Sequence, residues 1–300
     1  MAKTHNPALR RMGLAADERA LLIHADDIGM GHTTLPALAE VMAFGIVTSC
    51  AVMVPAPWFP QAAALLREHP GWDVGLHATL TAEWTASRWR PISTSDPATG
   101  LLDPEGFFPR RCPELRGVAS PDAVRAEVRA QLEVALAAGL DISHIDMHMF
   151  APLDARLFAP WLDVALQAGI PPLLMRRGDM LRLGASEDGL AALLDQVDAL
   201  EAAGWPVFDS VRELPLRDPE GQVALARRMI DETPPGLHLL IAHPASDTPE
   251  LRALVPHWEA RVANREALLS VSLRDTIRLS GVRLISYRDV RRAAPLAHRR

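Results

Sequence analysis

The stretch "LLIHADDIGM", residues 21–30, joins an apolar run to two adjacent carboxylates. The run at residues 21–23 is typical of a buried strand, and Asp26 and Asp27 follow where that strand is predicted to end. Titratable side chains directly after a buried strand are typical of the carboxyl edge of a parallel sheet, where strand ends face a shared pocket. The stretch therefore predicts both a strand and a candidate site.

Similar apolar runs recur along the chain and alternate with helical patterns. The candidate strands lie at residues 20–24, 48–54, 73–77, 143–148, 172–175, 206–210, 237–243 and 282–286. The candidate helices lie at residues 121–138, 154–168, 190–203 and 222–232. Ser120 is the expected N-cap of the first of these, Pro121 its first residue and Gly139 its stop. Strand–helix alternation indicates a parallel sheet with helices outside it.

The number of these units predicts the fold class. About eight β/α units in 300 residues favour an α/β fold of the distorted TIM-like (β/α) barrel type over an open doubly wound sheet, although periodicity alone fits both. We expect one barrel domain over residues 20–293, an N-terminal extension at 1–19 and a C-terminal tail at 294–300.

One long segment, residues 81–117, breaks the strand–helix rhythm. It is rich in Pro and Gly, and a loop of this length is usually either functional or disordered. Its aromatic residues, among them Trp84 and Trp89, argue against disorder, because disordered segments are poor in aromatics. We predict a lid-like insertion over the C-terminal face of the barrel.

Composition excludes several classes of partner. A net charge of -6 without basic blocks argues against nucleic acid and against an anionic membrane surface. Two cysteines, Cys50 and Cys112, suit a reducing compartment, and the N-terminal segment has no apolar signal core. No run approaches the roughly 18 apolar residues of a membrane helix, so we expect a cytoplasmic protein.

Residues able to carry chemistry collect at the carboxyl ends of four predicted strands. These residues are His24, Asp26, Asp27, His77, His144, Asp146, His148 and His243. In a β/α barrel the carboxyl ends of the strands form the catalytic face. We therefore expect these side chains to converge, although a lone histidine such as His77 is more often a core or loop residue.

Imidazole and carboxylate together predict a metal site of the zinc type, and also suit Fe, Co or Ni. His144, Asp146 and His148 have period two and share one face of a strand, so either histidine could bind metal while its neighbours orient it. Of the adjacent carboxylates, we assign Asp27 to the metal and Asp26 to a proton-accepting role. His243 could donate a proton to a leaving group.

The chain resembles a known family through several motifs in the same order. "HADDIGM", "GLHATL", "HIDMHMF", "IAHPAS" and the C-terminal "ALLSVSLRDTIRLSGVRLISYRDV" are similar to the YdjC-like (ChbG/HpnK) carbohydrate deacetylases, from about Leu21 to Val290. The resemblance implies a TIM-like barrel that removes acetyl groups from N-acetylated sugars with one divalent metal ion, zinc or magnesium. It also implies Asp27, His77 and His148 as metal ligands, with Asp26 as base and His243 as acid.

The motifs depart from the family pattern at a few positions. The family often has Asn where this chain has His24, Ser where it has Met147, another His where it has Phe150, and Glu where it has Leu239. The implied metal ligands survive these changes. The resemblance therefore implies the same reaction, on a sugar that could differ from that of the chitooligosaccharide enzymes.

The predicted substrate is a small carbohydrate. Trp84 and Trp89 could lie against a sugar ring, and Arg88 could reach an anionic group on the substrate. We assign His144 and Asp146 to the substrate side of the site as well. A homodimer is a possible assembly, but no pattern in the sequence marks the outer helices as its interface.

Three alternatives to a carbohydrate deacetylase remain at this point. One is a metal-dependent esterase or phosphoesterase. Another is a non-haem iron oxygenase, because two histidines and one carboxylate also describe its metal site. The third is a catalytically inactive carbohydrate-binding relative, which the changes at Phe150 and Leu239 keep open.

Overall fold

A computed structural model describes residues 6–295 of the chain, so most of the predicted tail at 294–300 lies outside the described residues. The strands are β1 (Arg19–Ile28), β2 (Ser49–Val52), β3 (Val74–Ala78), β4 (Ile142–Met147), β5 (Ser210–Glu213), β6 (Gly236–Ala242) and β7 (Arg283–Leu284). All of the pairings between these strands are parallel, as the strand–helix alternation predicts.

The sheet follows the order β4-β3-β2-β1-β6-β5, and the short β7 pairs with the first residues of β1. Two isolated bridges, Ile145 to Pro172 and Met175 to Phe208, connect its two edges through the segment 172–175. The sheet therefore curls into a distorted TIM-like barrel, which confirms the predicted fold class.

Three of the differences between the predicted and the observed strands bear on the barrel and its site. Residues 172–175 form only single bridges, since Pro172 has no backbone N–H to donate to a ladder. The strand predicted at 206–210 is displaced to Ser210–Glu213, and β1 continues past the predicted end at His24 to Ile28. The extension of β1 matters most, because it places both aspartates inside the strand.

Helices cover the outside of the sheet and fill the connections. They are α1 (Pro7–Arg11), α2 (Thr34–Phe44), α3 (Phe59–Glu68), α4 (Cys112–Val118), α5 (Pro121–Ala137), α6 (Phe158–Ala168), α7 (Arg177–Arg182), α8 (Glu187–Ala202), α9 (Gln222–Asp231), α10 (Pro249–Leu254), α11 (Trp258–Leu268), α12 (Val271–Ser280) and α13 (Tyr287–Ala293). Pro121 begins α5 as predicted, although the Ser120 side chain makes no capping hydrogen bond. None of the helices in residues 6–295 is long and apolar enough to cross a membrane.

The central strand β1 shows why the chain folds in this way. It lies between β6 on one side and β2 and β7 on the other, so both its edges are hydrogen-bonded. Leu22 and Ile23 are fully buried there. A parallel strand covered on both faces is expected to be apolar throughout, which is what the run at the start of the "LLIHADDIGM" stretch provides.

Two β-bulges interrupt the regular pairing near the carboxyl ends of the strands. In β1, Asp26 and Asp27 together oppose the single residue Ala51 of β2. In β4, Ser143 and His144 oppose the single residue Gly75 of β3. A bulge re-aims the side chains of the strand that carries the extra residue. The two bulges therefore decide which side chains of β1 and β4 enter the barrel.

The segment 81–117 is packed onto the rest of the protein. Trp84, Trp89 and Phe108 are buried, and Trp89 Nε1 donates a hydrogen bond to the Thr81 carbonyl at 2.7 Å. The segment contains helix α4, whose Cys112 Sγ lies 3.3 Å from the carbonyl of Met149, just after β4. The long insertion is thus anchored at the carboxyl end of the barrel strands.

The described part of the N-terminal extension also packs on the barrel. The Asn6 side chain donates to the Val207 carbonyl at 2.8 Å and to Asp209 at 2.7 Å, just before β5. Ala8 and Leu9 of α1 are buried. These contacts hold the segment before β1 against the amino end of the barrel.

We expect Gly75→Ala to destabilise the fold. A Cβ at this position would lie 2.2 Å from the His144 ring, which the β4 bulge turns across the glycine. Overpacking of this kind typically costs about 1–3 kcal/mol of unfolding free energy, measurable by urea titration. Gly71→Ala is the matched control, because a Cβ there meets no atom within 4 Å in the described chain. Equal stability of the two variants would contradict the packing argument.

Candidate active site

The bulge in β1 gives two adjacent aspartates access to the same space. In a regular strand, neighbouring side chains point to opposite faces. Here Asp27 has the left-handed backbone angle φ 63°, which is uncommon for a residue other than glycine. Both carboxylates are nevertheless 5 % exposed or less and lie among the same histidines. The bulge therefore answers why the sequence places two carboxylates side by side.

Asp27, His77 and His148, which we call the candidate triad, bring three ligating atoms together. His77 Nε2 lies 3.3 Å and His148 Nδ1 lies 3.1 Å from Asp27 Oδ1. The two nitrogens are 3.3 Å apart. All three residues are at most 3 % exposed. These are the residues that the family resemblance implies as ligands, although His148 lies just beyond β4, in a short 3₁₀ turn.

Each member of the candidate triad has a charged partner on its other polar atom. Asp146 Oδ1 lies 2.6 Å from His77 Nδ1, and Glu83 Oε2 lies 3.0 Å from His148 Nε2. Arg261 Nη1 donates to Asp27 Oδ2 at 2.8 Å. Such partners fix the orientation and tautomer of a ligand. The three converging atoms are therefore held in place from β4, from the insertion and from α11.

The electrostatics of the candidate triad favour positive charge. Burial lowers the pKa of His148, but the Glu83 charge and hydrogen bonds to Asp27 and Glu83 outweigh it and raise that pKa to about 9. Burial also lowers the pKa of His77, but the charges of nearby aspartates outweigh burial and hold this pKa well above its ordinary value. Burial would raise the pKa of Asp27, yet Arg261 and the histidines hold it well below its usual range. Protons or a cation must balance these carboxylates.

Asp26 lies next to the candidate triad but outside it. Its Oδ1 is 2.9 Å from His24 Nε2 and 3.6 Å from His77 Nδ1. Asp26 thus keeps a carboxylate beside the three converging atoms without sharing Asp27's contact with Arg261. This position is compatible with the proton-accepting role predicted from the sequence.

His243 follows β6 and faces the same group of residues. Its backbone N–H donates to Asn264 Oδ1 at 2.9 Å, and its buried Nδ1 has no hydrogen-bond partner within residues 6–295. Burial lowers the pKa of His243 to about 4, with Asp27 opposing and Arg261 reinforcing the shift. The imidazole is therefore neutral at neutral pH, so an acid role requires it to gain a proton during the reaction.

The predicted substrate contacts in the insertion occupy different environments. Arg88 lies inside the loop, where its guanidinium contacts Asp103 at 2.7 Å and Glu105 at 2.8 Å and donates to the Phe108 carbonyl at 2.6 Å. Trp89 is 2 % exposed. These contacts make both residues part of the loop's own packing, and direct substrate contact by either stays a prediction.

Trp84 is better placed for a ligand. It lines a small apolar cleft together with Met30, Leu251 and Arg261. The Arg261 guanidinium lies 5.7 Å from the centre of the Trp84 ring. Trp84 therefore connects the cleft to the residue that holds Asp27.

His144 and Asp146 lie deeper than predicted for substrate contacts. His144 is fully buried, and its ring stacks on Tyr287 with centroids 3.5 Å apart. Asp146 is 3 % exposed, and its two carboxylate oxygens contact His77 and His24. The structure brings His148, not His144, to Asp27 and His77.

The positions that depart from the family pattern are also defined. Met147 and Leu239 are buried, and Leu239 packs in β6 between Leu22 and Val211 of the neighbouring strands. Phe150 has the left-handed angle φ 52° in the turn after His148. An apolar row in the sheet thus replaces the polar group that the resemblance implies at Leu239.

Sequence reasoning missed several residues of the site. These are Glu83, Arg261 and Asn264, and His24, although expected at the strand ends, was given no role. Arg261 and Asn264 are buried, although their helix "WEARVANREAL" has the polar composition of a solvated surface helix. Their roles arise from contacts across the fold, for which the local sequence carries no signal.

Comparison with known proteins finds a matching family and similar relatives. The YdjC-like protein family matches residues 20–279. A carbohydrate deacetylase of Thermus thermophilus is 32% identical over 290 residues, covering 95% of this chain and 98% of the relative. A carbohydrate deacetylase of Listeria innocua is 25% identical over 273 residues, covering 90% and 99%.

One solved structure has the same fold. It is a crystal structure from Enterococcus faecalis of a candidate cellobiose-phosphate cleavage protein, with a TM-score of 0.76 and 21% identity. The match covers 90% of this chain and 98% of that chain. At this identity the likeness establishes the barrel fold and no more.

We expect the His243 ring of the metal-free protein to titrate with a midpoint of about 4, because burial disfavours its charged form. An NMR titration of histidine ring resonances, assigned with a His243→Asn variant, measures this midpoint. A depressed histidine pKa means that the ring stays neutral as the pH falls to about 4. A midpoint at or above the ordinary value of about 6.5 would contradict the burial of this side chain.

Proposed function

The chain belongs to the YdjC-like family, and from this membership and its site we propose that it is a metal-dependent hydrolase that removes an acetyl group from an N-acetylated sugar. One observation carries the metal dependence: Asp27 Oδ1, His77 Nε2 and His148 Nδ1 lie 3.1–3.3 Å from one another in a buried site. The names of the relatives, carbohydrate deacetylases, support the substrate class.

The candidate triad fits a divalent ion in spacing and in chemistry. Metal bonds of about 2.0–2.1 Å at angles of about 90–110° separate neighbouring ligand atoms by roughly 2.9–3.4 Å. The observed separations of 3.1–3.3 Å lie in that range. Of zinc and magnesium, two imidazoles in three ligands favour zinc, because magnesium prefers oxygen. Ligating histidines must be neutral, so binding would release the protons that the raised pKa values retain.

The bound ion would supply Lewis-acid chemistry, polarising the acyl carbonyl and acidifying a water. Asp26, with its carboxylate beside the candidate triad, would accept a proton from the attacking water. Its Oδ1 makes no hydrogen bond within residues 6–295, although His24 Nε2 lies 2.9 Å away. Arg261 fixes Asp27 and keeps it ionised.

His243 completes the proton transfer in this proposal. Because its imidazole is neutral in the resting site, the proton that it donates is the one that Asp26 takes from the water, which passes to His243 as negative charge develops on the substrate. It then protonates the departing amine.

The experiment that tests the proposal is a panel of N-acetylated mono- and oligosaccharides. Acetate and free amine are measured before and after chelation, and again after reloading with zinc or magnesium. We expect equal release of acetate and amine that chelation abolishes. Release of acid without amine would indicate an esterase, release of phosphate a phosphoesterase, oxygen uptake an oxygenase, and sugar binding without turnover an inactive relative.

We expect Asp26→Asn to lower kcat for the best substrate of the panel by roughly 10²–10⁴, the range for loss of a general base. The variant should still bind an ion at the candidate triad, since Asp26 is not one of its ligands. Asp27→Asn is the comparison, because it should lose both the ion and the activity. Turnover by Asp26→Asn at the wild-type rate would show that another group accepts the proton.

Glu83 gives a separate test of the metal site. Its carboxylate lies 3.0 Å from His148 Nε2, so we expect Glu83→Gln to weaken binding of the divalent ion by about 10- to 100-fold. Competition with a chromophoric chelator measures the affinity. Glu105→Gln is the matched control from the same insertion, since its carboxylate contacts Arg88 instead. If the two variants bind the ion equally well, Glu83 does not orient His148.

A further inference from the structure

A second group of buried ligating atoms lies below the candidate triad and shares none of its residues. It consists of His24, His144 and Asp146, which we call the inner cluster. Asp146 Oδ2 lies 3.0 Å from His24 Nε2 and 3.5 Å from His144 Nε2. All three side chains are at least 96 % buried, at 1%, 0% and 4% exposure.

The hydrogen bonds of Ser143 fix the tautomer of His144. The Ser143 hydroxyl has one proton, and it contacts the Asp73 carboxylate and the Val74 carbonyl, which can only accept. Ser143 Oγ must therefore accept the hydrogen bond from His144 Nδ1, 2.8 Å away. With the ring proton on Nδ1, Nε2 of the neutral ring carries a lone pair.

This nitrogen lies near a carboxylate oxygen. In the described part of the chain, His144 Nε2 has no hydrogen-bond partner. A bare nitrogen facing Asp146 Oδ2 at 3.5 Å is unfavourable unless positive charge lies between them. The arrangement is thus suited to a cation.

Another buried histidine that contacts a serine gives a comparison. His238 in β6 also contacts a serine, with Nδ1 2.7 Å from Ser210 Oγ. Its Nε2, however, lies 2.9 Å from the Pro234 carbonyl, which accepts a hydrogen bond. Both nitrogens of His238 are satisfied, so burial of a serine-bound histidine does not by itself leave a free nitrogen.

His24 differs from His144, because its Nε2 hydrogen-bonds to Asp146 Oδ2, and a bound ion would replace the proton there. Its Nδ1 lies 2.6 Å from Ser49 Oγ, which can accept a hydrogen bond while Nε2 faces the ion. That Nε2 lies 3.0 Å from Asp146 Oδ2 and 2.9 Å from Asp26 Oδ1. Tetrahedral ligands with bonds of about 2.0 Å are separated by about 3.3 Å. The measured separations of 2.9, 3.0 and 3.5 Å bracket this value.

We propose that the inner cluster, with Asp26 as its neighbour, binds a second divalent ion of the zinc or cobalt type inside the barrel. Two imidazoles and carboxylate oxygens, each held by a further partner, form the ligand set of a closed zinc site. The absence of a Cβ at Gly75 makes room for the His144 ring. Asp146 of the inner cluster also contacts the candidate triad, since its Oδ1 lies 2.6 Å from His77 Nδ1.

Filling the inner cluster has a consequence for activity, which, unlike the site itself, rests on the proposed function. Asp26 Oδ1 lies 2.9 Å from His24 Nε2, so a second ion would take this carboxylate as a ligand and draw it away from the candidate triad. If Asp26 is the base, ion in excess of one equivalent should slow deacetylation.

The test is the number of ions bound by the full chain. Metal-stripped protein is dialysed against Co²⁺ or Zn²⁺. The number of ions bound per chain is then measured by elemental mass spectrometry. We expect two in the wild type and one in His144→Gln. His238→Gln is the matched control and should keep two. Asp27→Asn should keep the inner ion and lose the other.

The outcomes separate the two proposals. One ion in the wild type that His144→Gln leaves in place would overturn the inner site while the candidate triad stands. One ion that His144→Gln removes and Asp27→Asn retains would support the inner site and overturn the triad. Circular dichroism checks folding, and His24→Asn replaces His144→Gln if that variant does not fold. Retention of two ions by a folded His24→Asn or His144→Gln protein would also overturn the inner site.

Discussion

The site depends on one extra residue in the central strand. β1 is hydrogen-bonded on both edges, so its side chains would normally alternate between the interior and the surrounding layer. The bulge at Asp26 and Asp27 opposite Ala51 breaks this alternation and turns both carboxylates inward. A left-handed backbone at a non-glycine residue costs about 1–3 kcal/mol. The ion pair between Asp27 and Arg261 offsets that cost, because it is made only when Asp27 faces the interior.

The second constraint is that each residue of the candidate triad is oriented by a charged partner from a different part of the fold. Asp146 in β4 holds His77, Glu83 in the insertion holds His148, and Arg261 in α11 holds Asp27. In a buried site these charged hydrogen bonds are stronger than they would be in water. Sheet, insertion and outer helix therefore meet at one point, which explains why the insertion is packed and not loose.

The sequence predicts the barrel and the converging residues but not their supports. Alternation of apolar strands and helices is a local pattern, and Asp27, His77 and His148 follow strands in that pattern. Glu83 and Arg261 lie in a loop and in a polar helix, where nothing local separates a buried charge from a solvated one. The segment 172–175 was predicted as a strand because apolar runs do not reveal that a proline limits pairing. Pairing register, and with it each bulge, is a property of two strands and cannot be read from one.

The depth of Asp146 explains why the barrel interior is polar. TIM-like interiors are usually filled by apolar branched side chains. A carboxylate that orients His77 from below must itself be buried, and it is stable there only with partners of its own. His24 and His144 supply imidazoles at 3.0 and 3.5 Å, and each of these histidines in turn has a serine beside its other nitrogen. One oriented ligand thus requires a second polar layer beneath the first. That layer has an imidazole nitrogen left over, which gives the barrel the means to hold a second cation.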